Sequence, residues 1–217
     1  MRLLLPLLIA MSACASDVTR TDWSESTTYV YRCDGEDQVI VVTIAADRGH
    51  LFSRQASQPM QRQSDSPAFS GDDVYYLPHQ PADLAPGQTA TITIMGKQLV
   101  NCSNDPRAAV WEGAKLRGVS YRAIGQEPPW VLEIDRGKGF LLVTGYGENR
   151  HWFPYVEADT DSSSRTSSFI SHANGEQITI TIRGRQCRDN MSGETFASEV
   201  EIEWRGDILR GCGRALH

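Results

Sequence analysis

The sequence predicts an all-β fold, with two small antiparallel β-barrel or β-sheet domains joined by a short helical connector. Three observations indicate this fold. Short β-branched runs alternate with polar residues in both halves of the chain, glycine-containing turns separate many of the runs, and one helix-start signal lies near the middle. We place the domains at residues 28–104 and 118–217 and the connector at residues 105–117.

The first residues have the features of an export signal. Arg2 precedes an apolar run over residues 3–11, which is far shorter than the roughly 20 residues of a membrane-spanning helix. Met11-Ser12-Ala13-Cys14 resembles the bacterial lipobox, in which the cysteine is lipidated and becomes the first residue. A plain secretory signal is the alternative. We expect a signal peptide at residues 1–13, lipidation at Cys14 and a polar tether over residues 14–27.

The resemblance to the lipobox also implies a location. Ala15 follows the cysteine, and an aspartate there would favour retention in the inner membrane. We therefore expect a protein anchored by lipid in the outer membrane and facing the periplasm.

The first domain contains several predicted strands. Residues 53–68 are rich in Ser, Gln and Pro, which predicts a loop or a ragged edge. Gly96-Lys97 predicts the turn of a hairpin that begins with the alternating Thr and Ile residues. The predicted strands cover residues 29–33, 39–44, 74–77 and 89–95, and a second run after the turn ends at Cys102.

The same kinds of signal predict the helix of the connector and the strands of the second domain. Asp105-Pro106 is a helix-start signal, and Gly118 is suited to end the helix. Asn174-Gly175 is the strongest hairpin signal of the chain, Arg205-Gly206-Asp207 predicts another turn, and residues 159–168 are predicted to form an exposed loop. The predicted strands cover residues 119–124, 130–134, 140–145, 152–156, 169–173, 178–182 and 200–204, and a last strand reaches Cys212.

The chain has five cysteines. If Cys14 carries lipid, four remain in a compartment that permits disulfides, and four cysteines allow three pairings. Pairing of neighbours in sequence is the arrangement compatible with two independently folding domains. Because no two of the cysteines have the short spacing of metal ligands and the histidines are scattered, we expect no metal site.

Catalytic motifs are absent from the sequence. It has no G-x-S-x-G elbow, no H-E-x-x-H and no phosphate-binding glycine loop, so we expect neither an enzyme nor a cofactor. We interpret Glu127, Asp189 and Ser192 as turn residues. Residues 15–106 hold six Lys/Arg and twelve Asp/Glu, and such an acidic surface disfavours nucleic acid.

Residues 29–102 resemble the membrane-bound inhibitors of c-type lysozyme, a family of small lipid-anchored β-barrels. The resemblance rests on Tyr31-x-Cys33-x-Gly35, a following β-branched strand, Ser70-Gly71 with Tyr75 or Tyr76 after it, Gly87-x-x-Ala90 and Cys102. It implies a Cys33–Cys102 disulfide.

The resemblance also implies a lysozyme-binding site. In that family a serine-glycine loop and a lysine in a W-x-K-G turn enter the lysozyme cleft and engage its catalytic carboxylates. Ser70 and Gly71 match the first element, with Tyr75 following. In place of the second element the chain has Leu84-Ala85-Pro86-Gly87, so that Pro86 takes the lysine position.

Residues 117–216 resemble an uncharacterised domain of bacterial envelope lipoproteins. The shared features are Tyr121-Arg122-Ala123-Ile124-Gly125-x-Glu127-Pro128-x-Trp130, then Cys187-x-Asp189-x-Met191-Ser192 and Gly211-Cys212-Gly213. This resemblance implies a Cys187–Cys212 disulfide and names no activity.

The functional prediction is a lipid-anchored envelope protein that binds and inhibits c-type lysozyme through an exposed loop of its first domain. The alternative is a structural or ligand-binding envelope lipoprotein that does not inhibit lysozyme.

Overall fold

The computed structural model describes residues 23, 25–79 and 87–217. The predicted signal peptide, Cys14 and Pro86 lie outside these residues. The predicted all-β class is confirmed: 58% of the described residues are in strands and 8% in helices, arranged as two curled antiparallel sheets joined by a short helix.

The first sheet has nine strands in the order β8-β7-β6-β5-β4-β3-β2-β1-β9. β1 begins at Ser26, inside the predicted tether. The strands are β1 Ser26–Cys33, β2 Glu36–Ile44, β3 Arg48–Phe52, β4 Ser57–Arg62, β5 Phe69–Ser70, β6 Val74–Pro78, β7 Ala90–Ile94, β8 Lys97–Gln98 and β9 Ser103–Asn104.

The first sheet curls into a half-barrel whose two sides are tied together. Thr89, next to β7, pairs with Ser103 of β9, and the Asn104 backbone N–H donates to the Gln88 carbonyl at 2.7 Å. The Cys33–Cys102 disulfide fastens the end of β1 to the residue before β9. The concave face holds the core, which includes Tyr31, Leu51, Met60, Tyr76, Ile92 and Ile94.

The loop predicted over residues 53–68 is wrong for its central part, because β4 (Ser57–Arg62) lies there. Only Met60 of this strand is buried, and its other side chains are exposed or half-buried. One inward side chain gives almost no alternation in the sequence, so tertiary pairing with β3 decides the structure.

One α-helix, α1 (Pro106–Leu116), joins the sheets and confirms the predicted connector. The Asp105 carboxylate caps it by accepting from the Ala108 backbone N–H at 3.0 Å, and it also pairs with Arg32 of β1 at 3.3 Å. Gly118 follows the helix with φ of +90°, a conformation that glycine adopts without strain.

The second sheet also has nine strands, in the order β13-β12-β11-β10-β20-β19-β16-β15-β14, and β17 and β18 form a separate small hairpin. A 3₁₀ turn, Gly145–Gly147, joins β12 to β13. The strands are β10 Tyr121–Gln126, β11 Pro129–Asp135, β12 Gly139–Thr144, β13 Asn149–Phe153, β14 Asp159–Asp161, β15 Thr166–Ala173, β16 Glu176–Arg183, β17 Cys187–Arg188, β18 Thr195–Phe196, β19 Ser198–Trp204 and β20 Asp207–Ala215.

The predicted exposed loop at residues 159–168 is also wrong, because it contains β14 and the start of β15. All three residues of β14 are exposed, so no apolar side chain announces a strand; backbone pairing with β15 forms it. The Asn174-Gly175 hairpin and the turn at Arg205-Gly206 are confirmed, with positive φ at all four residues.

The second sheet has a core on each face. Its concave face packs Leu132, Phe140, Leu142, Ile178, Ile180 and Ile202 together. A smaller core on the outer face joins Trp111 of α1 to Phe196 and Cys212. The Cys187–Cys212 disulfide contributes to this outer core. Each of the two disulfides therefore lies within one domain and joins cysteines that follow one another among the four.

Among the described residues, no helix is both long enough and apolar enough to span a membrane. Across the same residues, no three His, Cys, Asp or Glu side chains gather as a metal-binding group.

Candidate functional site

Ser70 and Tyr75, two of the predicted binding residues, lie side by side on the outer face of the first sheet. Directly paired residues in an antiparallel sheet point to the same face, and Ser70 pairs with Tyr75 across the β5–β6 hairpin. The pairing continues over six strands and aligns a row of polar side chains. We call this row the polar stripe; it consists of Arg48, Gln61, Ser70, Tyr75, Thr93 and Gln98.

The Ser70 hydroxyl is available for a partner. Ser70 is half-buried, and within the described residues its side chain has no hydrogen-bond partner. Its chain neighbour Phe69 points the other way, into the core of the half-barrel. The two-residue strand β5 therefore presents a hydroxyl outward while an aromatic ring anchors it.

Gly71 begins the turn after Ser70 and is held by close packing. A Cβ atom at this position would lie 2.5 Å from the Pro59 carbonyl oxygen and 3.0 Å from Val74 Cγ2. The Gly71 backbone N–H donates to the Val74 carbonyl at 2.9 Å. The turn is therefore closely packed, and a side chain at its start would collide with the Pro59 backbone.

Two carboxylates follow Gly71 on the same turn. Asp73 is held by Gln58, whose amide nitrogen donates to the carboxylate at 3.3 Å and whose amide oxygen accepts from the Asp73 backbone N–H at 3.1 Å. Asp72 is exposed, and no cation lies within 4 Å of it in the described residues. The turn therefore places negative charge next to the stripe.

Gly87 lies at the other end of the β6–β7 ladder. Val74, close to Gly71, pairs with Ile94, whereas Pro78 pairs with Ala90, three residues after Gly87. The strand β6 between these ends is roughly 13 Å long. Gly87 donates its backbone N–H to the Asn104 carbonyl at 3.3 Å, so the structure brings Ser70, Gly71 and Tyr75 together and holds Gly87 apart from them.

In the second domain the motif residues from both ends of the domain meet around the disulfide. Ala123 pairs with Gly213 and Ile124 with Cys212, and Cys212 is bonded to Cys187. The Trp130 ring occupies the space beside Gly125 and Gly211, where any Cβ atom would collide with it. These glycines are needed because a tryptophan crosses the backbone there.

Asp189 and Ser192 form a turn, as predicted, and Glu127 also lies in a turn. The Asp189 carboxylate accepts from both the backbone N–H of Ser192 at 2.9 Å and its hydroxyl. Burial acts to raise the pKa of Asp189, but the hydrogen bonds from Ser192 outweigh it, and the pKa lies below its ordinary value. Within the described residues no histidine is hydrogen-bonded to this pair, whose contacts are those of a local turn.

A charged cleft of about 500 Å³ lies beside that turn. Its arginines are mostly neutralised: Glu201 contacts Arg210 at 2.9 Å and Arg183 at 3.5 Å, and Glu199 contacts Arg185. Arg188, in contrast, has no carboxylate within 4 Å among the described residues. A surface of paired charges of this kind is typical of a solvated sheet face.

The sequence predicted Ser70 and Tyr75 but missed the rest of the polar stripe. Arg48, Gln61, Thr93 and Gln98 stand far apart along the chain, and only the strand register aligns them. Knowledge of the pairing of β3 to β8 would have been needed to find them.

Comparison with known proteins gives no match: no protein-family model, no curated protein and no solved structure is significantly similar to this chain.

Proposed function

We propose that the first domain binds c-type lysozyme through the polar stripe and inhibits it. The observation that carries the proposal is the outward-facing hydroxyl of Ser70, which has no hydrogen-bond partner among the described residues and lies beside Tyr75 on a closely packed hairpin. A hydroxyl in this position can donate to a carboxylate that must stay free for glycoside hydrolysis.

The charge of the first domain supports the approach of a basic enzyme. Residues 15–106 carry twice as many acidic as basic side chains, and Asp72 and Asp73 flank the stripe. Long-range attraction between an acidic protein and a basic partner raises the association rate and weakens with added salt. Asp73 is already bound to Gln58, so Asp72 is the freer of the two charges.

The lysine of the family's second element has no equivalent here, so Ser70 and its neighbours would supply the contact. Tyr75 adds a half-buried ring and a hydroxyl beside Ser70, and Gln61 flanks Ser70 on the other side. Tyrosine is well suited to protein interfaces because its large ring costs little conformational entropy on binding.

The test is an assay of c-type lysozyme on cell-wall substrate with the purified protein. We expect inhibition at micromolar protein, and we expect Ser70→Ala to weaken it about tenfold through loss of one hydrogen bond to a charged group. Inhibition should also weaken as the salt concentration rises.

The matched control is Ser167→Ala. Ser167 is also a half-buried strand serine whose side chain has no hydrogen-bond partner in the described residues, but it lies in the second sheet. An absence of inhibition by the wild-type protein, or equal inhibition by the Ser70 and Ser167 variants, would exclude the proposed contact and favour an envelope protein with a structural or ligand-binding role.

We further propose that the chain is lipid-anchored through Cys14 in the outer membrane and faces the periplasm. The apolar run over residues 3–11, the lipobox-like Met11-Ser12-Ala13-Cys14 and the two disulfides support this location, because disulfides persist in oxidising compartments. Labelled palmitate should be incorporated into the wild-type protein. If Cys14→Ser incorporates as much label as wild type, the anchor lies elsewhere.

A further inference from the structure

A cavity of about 530 Å³ opens at one end of the first half-barrel. This size lies within the usual range for small-molecule sites. Residues from β1, β2, β4, β5 and β6 and from the turns at this end surround the cavity. The lining includes Tyr29, Thr43, Ala46, Arg62, Phe69 and Tyr76.

Aromatic rings form the floor of the cavity. The ring centroids of Tyr29 and Phe69 lie 6.5 Å and 6.2 Å from that of Tyr76. The Tyr76 and Tyr31 hydroxyls form a hydrogen bond of 3.0 Å in which either can donate, and the Tyr29 hydroxyl forms a hydrogen bond with Thr43. These three rings are only 2–7% exposed, so the accessible apolar lining above them comes from Ala45, Ala46, Pro67 and Pro78.

Arg62 supplies a positive charge at the cavity. Its Nε donates to the Ser66 carbonyl at 2.9 Å and its Nη1 to the Ala46 carbonyl at 3.4 Å. A guanidinium has five N–H donors, so most of them remain available. Asp47 and Asp65 are close in sequence to these carbonyls, but neither lies within 4 Å of the guanidinium, and no other described carboxylate does.

His79 also lines the cavity, and its ring is held by two threonine hydroxyls. Both ring nitrogens of His79 are within hydrogen-bond distance of threonine hydroxyls, at 2.9 Å from Thr89 and 2.8 Å from Thr91. Arg62 is the side chain of the lining that carries a permanent positive charge, so an anion is the complementary group.

We propose that this cavity binds an amphiphile with one apolar chain and one anionic head group. The chain would lie against Ala45, Pro67 and Pro78, above the aromatic floor, and the head group would accept hydrogen bonds from Arg62. A free fatty acid and a single-chain phospholipid share this chemistry.

The cavity and the polar stripe use opposite faces of the same strands. Phe69 and Tyr76 point into the half-barrel, whereas their neighbours Ser70 and Tyr75 point outward. Binding of an amphiphile is therefore separate from lysozyme inhibition, and each can fail without the other.

The experiment is a titration of the full chain by isothermal calorimetry below the critical micelle concentration. Decanoate and a decanoyl lysophosphatidylglycerol are the two anionic probes, and decyltrimethylammonium is the cationic probe with the same chain length. We expect one site for at least one anionic probe and no binding of the cationic probe. Either result supports the proposal: tighter binding of decanoate would indicate a free fatty acid as the ligand, and tighter binding of the lysolipid would indicate a single-chain phospholipid.

Two variants test the role of charge. Arg62→Gln should weaken binding about tenfold or more, whereas Arg107→Gln, an equal change of charge on the exposed side of α1, should not. Ala46→Glu places a negative charge at an exposed rim residue without touching the core, and it should weaken binding even if Arg62→Gln disturbs its turn. Equal binding of cationic and anionic probes, unchanged affinity in Ala46→Glu, or no binding of either anionic probe would overturn the proposal.

Discussion

At the scale of single residues, the sequence predicted side chains whose roles are local and missed those whose roles depend on pairing. Asp105 was found because a cap and a following proline are adjacent in sequence. Arg62 was missed because its exposed charge has no local signature, and the rings near it come from three separate strands. The four disulfide cysteines were identified as such, but their pairing needed a resemblance that spacing alone does not supply.

Gly71→Ala should destabilise the first domain by about 1–3 kcal/mol, because the new methyl group would meet the Pro59 carbonyl backbone. Chemical denaturation measures the loss. The control is Gly137→Ala, where the methyl group would meet only a side-chain oxygen of Asp135 at 3.3 Å. A Gly71 variant as stable as the Gly137 variant would show that the turn can relax.

His50 should make the protein less stable in mild acid. Burial lowers the pKa of its imidazole below 6.5, so the folded state binds the proton less readily than the unfolded state. The free energy of unfolding should therefore fall as the pH drops through about 6.5, and the fall should level off below the pKa of the folded state.

His50→Phe is the test of that pH dependence, because a phenyl ring can keep the contact with Phe52, whose ring centroid lies 4.2 Å away. Urea denaturation of both proteins between pH 7 and pH 5 gives the comparison. A slope in the variant as steep as in the wild type would assign the pH dependence to other groups.

At the scale of elements, alternation of apolar and polar residues predicted most strands, and its absence explains the two errors. β4 buries a single side chain and β14 buries none, so the sequences of both strands resemble those of loops. Backbone pairing with β3 and with β15 forms these strands, and pairing partners cannot be read from a single segment.

The β7–β8 hairpin should become more stable in Met95→Asn. Met95 has φ of +51° and is followed by Gly96 with φ of +75°, a turn in which asparagine is preferred at the first position. Met95 is 61% exposed, so little packing is lost. We expect a gain of about 0.5–1 kcal/mol in thermal or chemical denaturation.

Met191→Asn is the matched control for Met95→Asn. Met191 is 72% exposed and has no positive φ, so its substitution should change stability by less than about 0.5 kcal/mol. If both variants gain equally, the turn conformation is not the cause.

At the scale of the whole molecule, α1 joins two sheets that each have their own core. One side of the helix packs on β1, where Gly113 lies against Thr28, and the other side inserts Trp111 into the outer core of the second sheet. Arg122 and Arg214 stack on the Trp111 ring at 4.8 Å and 4.3 Å. The sequence predicted the helix but not this packing, since Phe196 and Cys212, which share the outer core with Trp111, lie more than 80 residues away in sequence.

Trp111→Ala should destabilise the protein by about 3–5 kcal/mol and should separate its unfolding into two steps. Differential scanning calorimetry measures both effects, with a single transition expected for the wild type. Trp152→Ala, at a tryptophan that is 49% exposed, is the control and should keep one transition. A single transition in the Trp111 variant would show that the sheets are coupled by other contacts.

The acidic edge strand β14 affects how copies of this protein can associate with one another. An open sheet edge offers unpaired backbone groups to any neighbouring copy, and at this edge Asp159 and Asp161 bring like charges together whenever two copies approach. If many copies share one membrane, as the proposed lipid anchor implies, electrostatic repulsion at this strand would oppose their growth into fibrils.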